Sequence, residues 1–197
     1  MKNKIGLFCM ILGAVLFFGA LALFLYNEIQ AAKAEQSVKE VLVQMIEQTA
    51  KSEDLEEAEN KGSSDMTEIS IDGYTYIGYL SIPELELELP IMADWDYGRL
   101  KIAPCRYSGS VHENNLVLMA HNYDGHFGLL SELTEGAQVT FTDAEGASTF
   151  YRVAAKDVLV PTAVEEITGS DFALALFTCT YGGKSRVVIY CDESLPE

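Results

Sequence analysis

The chain has 197 residues, with 30 acidic side chains against 13 basic ones, a formal net charge of −17 and four cysteines. So acidic a chain makes a poor partner for nucleic acid or anionic lipid headgroups. Its length allows one sizeable core with additions, not two full domains.

Lys2 and Lys4 precede an almost unbroken apolar run from Ile5 to Tyr26, and no acid occurs before Glu28. Some 22 residues make a helix of roughly 33 Å, enough to cross a bilayer. A cleaved leader is the competing reading, given the small residues of Ala31-Ala32-Lys33-Ala34. A leader's apolar part is only ~7–15 residues, so the run is read as an uncleaved anchor. All 30 acids and 11 of the 13 basic residues follow Asn27, giving that part a formal −19. Lysines before the run and acids after it place the N-terminus in the cytoplasm and the remainder outside the cell.

The expected organisation is residues 1–27 as cytoplasmic tip and anchor, 28–66 as an acidic stalk or linker, and 67–197 as the catalytic domain. Val38, Val41, Leu42, Met45 and Ile46 recur at helical spacing, which predicts a short amphipathic helix. Lys51 through Asp65 is polar and reads as a linker holding the next domain off the membrane.

From Thr67 onward short β-like segments follow closely. Thr75 to Ile82 ends at Pro83, and Leu85, Leu87 and Leu89 then alternate with Glu84, Glu86 and Glu88 as in a half-buried strand. Leu116 to Ala120 is a continuous apolar strand. Gln138–Phe141 and Phe150–Ala154 flank a hairpin turn at Asp143 to Gly146, and Val158–Val160 precedes Pro161. Phe127 to Leu133 and Ala163 to Ile167 read as short helices. This spacing predicts a mostly β fold, a small, mostly antiparallel barrel or sandwich.

The last hairpin is the most informative. Cys179 closes one apolar strand and Arg186 opens the next across a turn containing Gly182 and Gly183. Antiparallel pairing brings thiol and guanidinium to one end of the sheet. A nucleophilic thiol gains from a nearby cation, and an acyl-transfer intermediate needs a donor for its oxyanion. Of three histidines, His112 lies in a polar loop, His126 in the loop Asn122–Gly128, and His121 directly after the strand Leu116–Ala120. His121 emerges at a strand end as the Cys179 thiol does, and the order strand–His, strand–Cys, turn, Arg–strand favours it as the partner of Cys179, while the His126 loop can pass over the same site. Among the other cysteines, Cys9 lies in the apolar run, while Cys105 and Cys191 are read as two buried thiols, with a disulfide as the alternative. Cys105, His112, His121 and His126 lack paired zinc-ligand spacing, so neither metal nor cofactor is expected.

With these residues in view the chain resembles the sortase family of membrane-anchored cysteine transpeptidases. The family's Thr-Leu-X-Thr-Cys signature is matched by Leu176-Phe177-Thr178-Cys179, with Ala175 in place of the first Thr. Arg186 matches the arginine opening the next strand, and His121 the histidine, within Met119-Ala120-His121-Asn122 where members often carry Gly before the His. Ile77 to Pro83 with Leu89-Pro90-Ile91, and Gly128 to Gly136 followed by a strand at Val139, also look like the family, so the resemblance covers nearly all of residues 74–191.

It implies a closed eight-stranded β-barrel with short helices behind a transmembrane anchor. It also implies cleavage of a Leu-Pro-X-Thr-Gly-like sorting signal on a secreted protein through a thioacyl-enzyme. An amine of a cell-wall precursor or a pilin lysine would then resolve that intermediate. Cys179 would be the nucleophile, His121 the proton carrier and Arg186 the oxyanion or backbone donor, with Thr178, Ala120 and Asn122 touching substrate. Pilus-assembling members often carry Asp followed by an aromatic in a lid ahead of the barrel; Asp72-Gly73-Tyr74 echoes this only faintly. The alternatives are a wall-crosslinking L,D-transpeptidase, whose Ser/His-X-Gly-Cys pattern Phe177-Thr178-Cys179 does not fit, and a non-enzymatic anchored binding module.

Overall fold

The structure, a computed structural model, describes residues 2–53 and 66–196. The linker expected at Lys51–Asp65 lies almost wholly outside the described residues.

The N-terminal run does not stop at the end of its apolar stretch. Neither Pro nor Gly occurs between Tyr26 and Thr49, and one helix, α1, runs unbroken over Lys2–Glu53. Its apolar part, from Gly6 onward, is fully exposed and long and apolar enough to span a membrane. Its second half is amphipathic instead. Ala34, Val38, Val41, Met45 and Thr49 fall on one stripe and are buried, with Val38, Val41 and Met45 joining the main core. The helix expected at Val38–Ile46 is thus the far half of α1, docked against β1 (Ile69–Ile71) and β3 (Leu87–Met92).

The remaining strands are β2 (Tyr74–Ile82), β4 (Cys105–Ser108), β5 (Leu116–Ala120), β6 (Gln138–Asp143), β7 (Ser148–Leu159), β8 (Leu174–Cys179) and β9 (Arg186–Ser194). The sheet order is β1-β2-β3-β4-β5-β8-β9-β7-β6, and β2 also pairs with β6. The pairing of β2 with β6 closes β2 through β9 into an eight-stranded mixed barrel, with β1 appended outside. Gly78 permits the closure: its φ is 145°, and a side chain there would run into the Thr142 carbonyl of β6.

Several local elements differ from expectation for identifiable reasons. Pro83 starts a 3-10 turn over Pro83–Leu85 and Glu86 adopts φ 54°, so the Leu/Glu alternation becomes a strand only from Leu87. Val158–Val160 is no separate strand; a bulge between Val153 and Ala155 lets β7 continue through Leu159. The helix expected at Phe127–Leu133 shrinks to a 3-10 turn, Leu130–Glu132, whereas α2 forms at Val164–Thr168. Asp72 and Gly73, with φ of 50° and 82°, make the tight turn between β1 and β2.

Strand alternation sorts side chains to two faces. Leu116, Leu118 and Ala120 of β5, Leu174 and Leu176 of β8, and Val187, Ile189 and Cys191 of β9 fill the barrel. Val117, Ala175, Phe177, Val188 and Tyr190 form a second cluster on the outer face, capped by Ile167 of α2.

Candidate active site

β5 and β8 run parallel, with Ala120 opposite Thr178, so the next residues, His121 and Cys179, leave the same edge side by side. Adjacent strands lie about 4.8 Å apart, which brings the two residues within reach of one bound peptide. β8 and β9 are antiparallel, with Cys179 directly opposite Arg186. Directly paired residues share a face, and Phe177 and Val188, two pairs further in and so on the same face, belong to the outer cluster. Cys179 and Arg186 therefore end an apolar track on the outside of the barrel, and both are half-buried.

The turn between them is fixed by its own backbone. Thr180 N donates to Ser185 O at 3.0 Å, Gly183 N to Thr180 O at 2.8 Å, and Ser185 N to Thr180 Oγ1 at 3.0 Å. The Arg186 Nη1 donates to Ser185 O at 3.2 Å and reaches Gly183 O at 3.5 Å. Among the described residues no carboxylate pairs with this guanidinium. Its charge is held over the turn with most donors unspent.

Thr178 turns inward. It is 3% exposed, and its Oγ1 donates to the Ala120 carbonyl at 2.9 Å. Ala120 is likewise buried, while Asn122 sits half-exposed next to His121. Of the three expected substrate contacts, Thr178 and Ala120 thus offer the rim their backbone and a clamp between β5 and β8; only Asn122 presents its side chain near the surface.

The loop after β5 folds back on itself. Phe127 N donates to His121 O at 3.2 Å, and both His126 N and Gly128 N donate to Tyr123 O at 2.9 Å. Only glycine fits at 128, because a Cβ there would stand 2.7 Å from Tyr123 O and 2.9 Å from Asn122 O. The fold-back brings three rings into tilted contact: His121 and Tyr123 have centroids 5.0 Å apart, Tyr123 and His126 5.5 Å. Tyr123 carried no signal in the sequence beyond its place two residues after the histidine.

Burial pushes the His121 imidazole below its ordinary range, and the nearby Lys101 ammonium adds to this. Its Nε2 is buried and makes no hydrogen bond. At neutral pH this ring is a base with an open lone pair or an uncommitted N–H, as a proton carrier requires. His126 is fully buried, and desolvation, helped by His121, lowers it to about 4. Among the described residues neither nitrogen has a partner in good hydrogen-bond geometry, although the Ile102 backbone lies near enough to favour the charged form. His112 is exposed in its loop, away from this constellation.

Cys105 and Cys191 are free, fully buried thiols on β4 and β9, with β5 and β8 between them in the sheet. Burial pushes both up to about 12, which leaves them without thiolate character. Among the described residues no group of three His, Cys, Asp or Glu side chains converges as a metal site would require.

Residues 80–194 match the model of the Sortase family, described as a Sortase domain. No curated protein matches. Solved structures do. A sortase C1 from Streptococcus agalactiae is 22% identical with a TM-score of 0.57, covering 65% of this chain and 72% of its own. A sortase C from Clostridium perfringens is 19% identical with a TM-score of 0.54, covering 87% and 97%. A pilus-related sortase C of group B Streptococcus is 18% identical with a TM-score of 0.55, covering 83% and 95%. At these identities the likeness is one of fold.

Proposed function

The chain belongs to the sortase family, whose members are cysteine transpeptidases, and we propose that it cleaves a Leu-Pro-X-Thr-Gly-like sorting signal and transfers the acyl part to an amine. The register supports this most directly: Cys179 opposite Arg186, and Thr178 opposite the residue before His121.

The chemistry runs in two halves. Neutral His121 takes the proton of Cys179 as the sulfur attacks the Thr–Gly carbonyl carbon, and the carbonyl π-electrons move onto oxygen. Arg186, permanently charged and without a carboxylate partner among the described residues, donates to that oxyanion. The protonated His121 gives its proton to the departing glycine nitrogen, the C–N bond breaks, and a thioacyl-enzyme remains. An incoming amine attacks the thioester, loses a proton to His121, and expels the sulfur, which regains that proton. Asn122 and the backbone at Thr178 and Ala120 hold the peptide beside the bond.

The leucine and proline of the signal lie against the apolar surface left exposed at this edge, since Val117, Phe177 and Val188 are themselves buried beneath it. Leu159 opposite Arg186 and the exposed Val158 and Val160 beyond it form one wall. The domain sits outside the cell behind the α1 anchor, with the N-terminus in the cytoplasm. The acceptor is an amine of a cell-wall precursor or a pilin lysine; the pilus-related description of one fold neighbour makes the lysine the first to try.

The test is to incubate the full chain in detergent with a library of Leu-Pro-containing peptides and several amines, trapping the acyl-enzyme by mass spectrometry. Peptide attached to Cys179 and released by an amine supports the reading. Equal turnover by Cys179→Ala refutes it.

A further inference from the structure

The active-site loop touches the anchor helix. Gly125, at the tip of the loop following His121, lies against Glu35 of α1: a Cβ on Gly125 would stand 3.1 Å from Glu35 Cγ and 3.2 Å from its Cβ. Glu35 is nine residues past Tyr26, the end of the apolar run, which is about 14 Å along a helix. The neighbouring Ala34 is 1% exposed, and Val38, Val41 and Met45 are part of the barrel core. Ser37 and Val41 face Tyr76 and Ile102 across a small cleft, so the helix is fixed at several points along its length. No Pro or Gly between Tyr26 and Thr49 offers a hinge.

We infer that α1 is a ruler: it holds the catalytic edge at a fixed, short height above the bilayer, and so selects donors by the distance between their scissile bond and the membrane. The inference rests on the transpeptidase reading and on the apolar run spanning the bilayer. With the His121 loop about 14 Å from the end of that run, an extended donor covers the gap in about four or five residues at ~3.3 Å each. A donor with a much longer spacer must loop back, at an entropic cost that grows with spacer length. A flexible stalk would impose no such window; an unbroken helix docked beside the active site does.

Two insertions test it in the full chain reconstituted in vesicles. A seven-residue alanine-rich insertion after Gln30 raises the docked half by ~10 Å and turns it by only ~20°; an eleven-residue one raises it by ~16 Å with a similar small turn. Height is read without any chemistry from Trp95, the chain's single tryptophan. It lies in the β3–β4 loop, at the edge where Met92 pairs with Cys105 and Cys105 with Met119. Energy transfer from Trp95 to dansyl-labelled headgroups falls stepwise with the two insertions if α1 sets the height. Equal transfer in all three proteins overturns the ruler.

Selection is read with one signal peptide, either soluble or joined to an apolar membrane segment through spacers of different length. The optimal spacer lengthens by about three residues for the first insertion and about five for the second, while soluble-peptide turnover stays as in the parent. A flat spacer profile, or an optimum that does not move, overturns distance selection. If the parent turns over no soluble peptide, the transpeptidase reading itself fails, whatever Trp95 reports about height.

Discussion

His126 should make the barrel acid-labile. Its imidazole is fully buried, bonded through neither nitrogen, and lowered to about 4 from an ordinary 6.5. Between those two values the unfolded chain binds the proton and the folded chain does not, so stability falls as the pH falls from 6.5 towards 4. At ~1.4 kcal/mol per unit the gap amounts to about 3 kcal/mol, a large share of the 5–15 kcal/mol typical of a domain. Replacing His126 by Phe keeps a ring of similar shape and removes the titration. Denaturant unfolding of the full chain in detergent, followed through Trp95, is compared at pH 7 and pH 4 for both proteins. Asp143, raised by burial, works in the opposite direction and cancels in the comparison, being common to the two proteins; His121 works in the same direction and differs between them only by its coupling to the replaced ring. The variant should lose about 3 kcal/mol less than the parent. An equal loss in both would mean that the buried ring titrates normally, and the account of its environment would be wrong.

His121→Ala should lower acyl-enzyme formation by about 10²–10⁴-fold and Arg186→Ala by about 10²–10³-fold, with unfolding midpoints unchanged; single-turnover rates measure both, and parental rates would remove the residue from the mechanism. Because His121 must be neutral to accept the thiol proton and its imidazole is lowered from 6.5, that step should weaken as the pH falls below its folded value; acylation rates that rise on acidification would contradict this. Gly128→Ala places a methyl against the Tyr123 carbonyl and should cost about 1–3 kcal/mol, seen in denaturant midpoints. Thr178→Val leaves the barrel isosteric but removes the bond to Ala120 O; a loss of about 1 kcal/mol with a smaller effect on acylation is expected, and an unchanged midpoint would show that the clamp contributes nothing.

The sequence was legible where local pattern and tertiary role coincide. The Cys179–Arg186 hairpin was readable because apolar runs, glycines and polar turn residues all mark the same boundary, and the register agrees to the residue. The parallel pairing that sets His121 beside Cys179 joins positions 58 apart; no local signal encodes it, and the sequence pointed to His121 only through its place at a strand end and through the family resemblance. The Leu/Glu alternation over-extended the β3 strand because period-2 spacing cannot see that Pro83 starts a 3-10 turn. The helical spacing from Val38 to Ile46 was visible, but not the extension of the buried stripe to Ala34 and Thr49 or its continuity with the apolar run, since α1 changes its solvent midway while its backbone pattern stays the same. The tilted ring contacts of Tyr123 and His126 behind His121 were invisible, because they depend on a loop that closes only through backbone contacts at Gly128.

The different fates of the sulfurs have a practical use. Cys105 and Cys191 are sealed inside the barrel and held protonated, Cys9 lies in the apolar half of α1, and Cys179 alone meets water at a working surface. A water-soluble alkylating reagent should therefore bind once per native molecule. The uptake of a second and third equivalent would register loss of the barrel, so one mass spectrum would count intact sites and damaged molecules together.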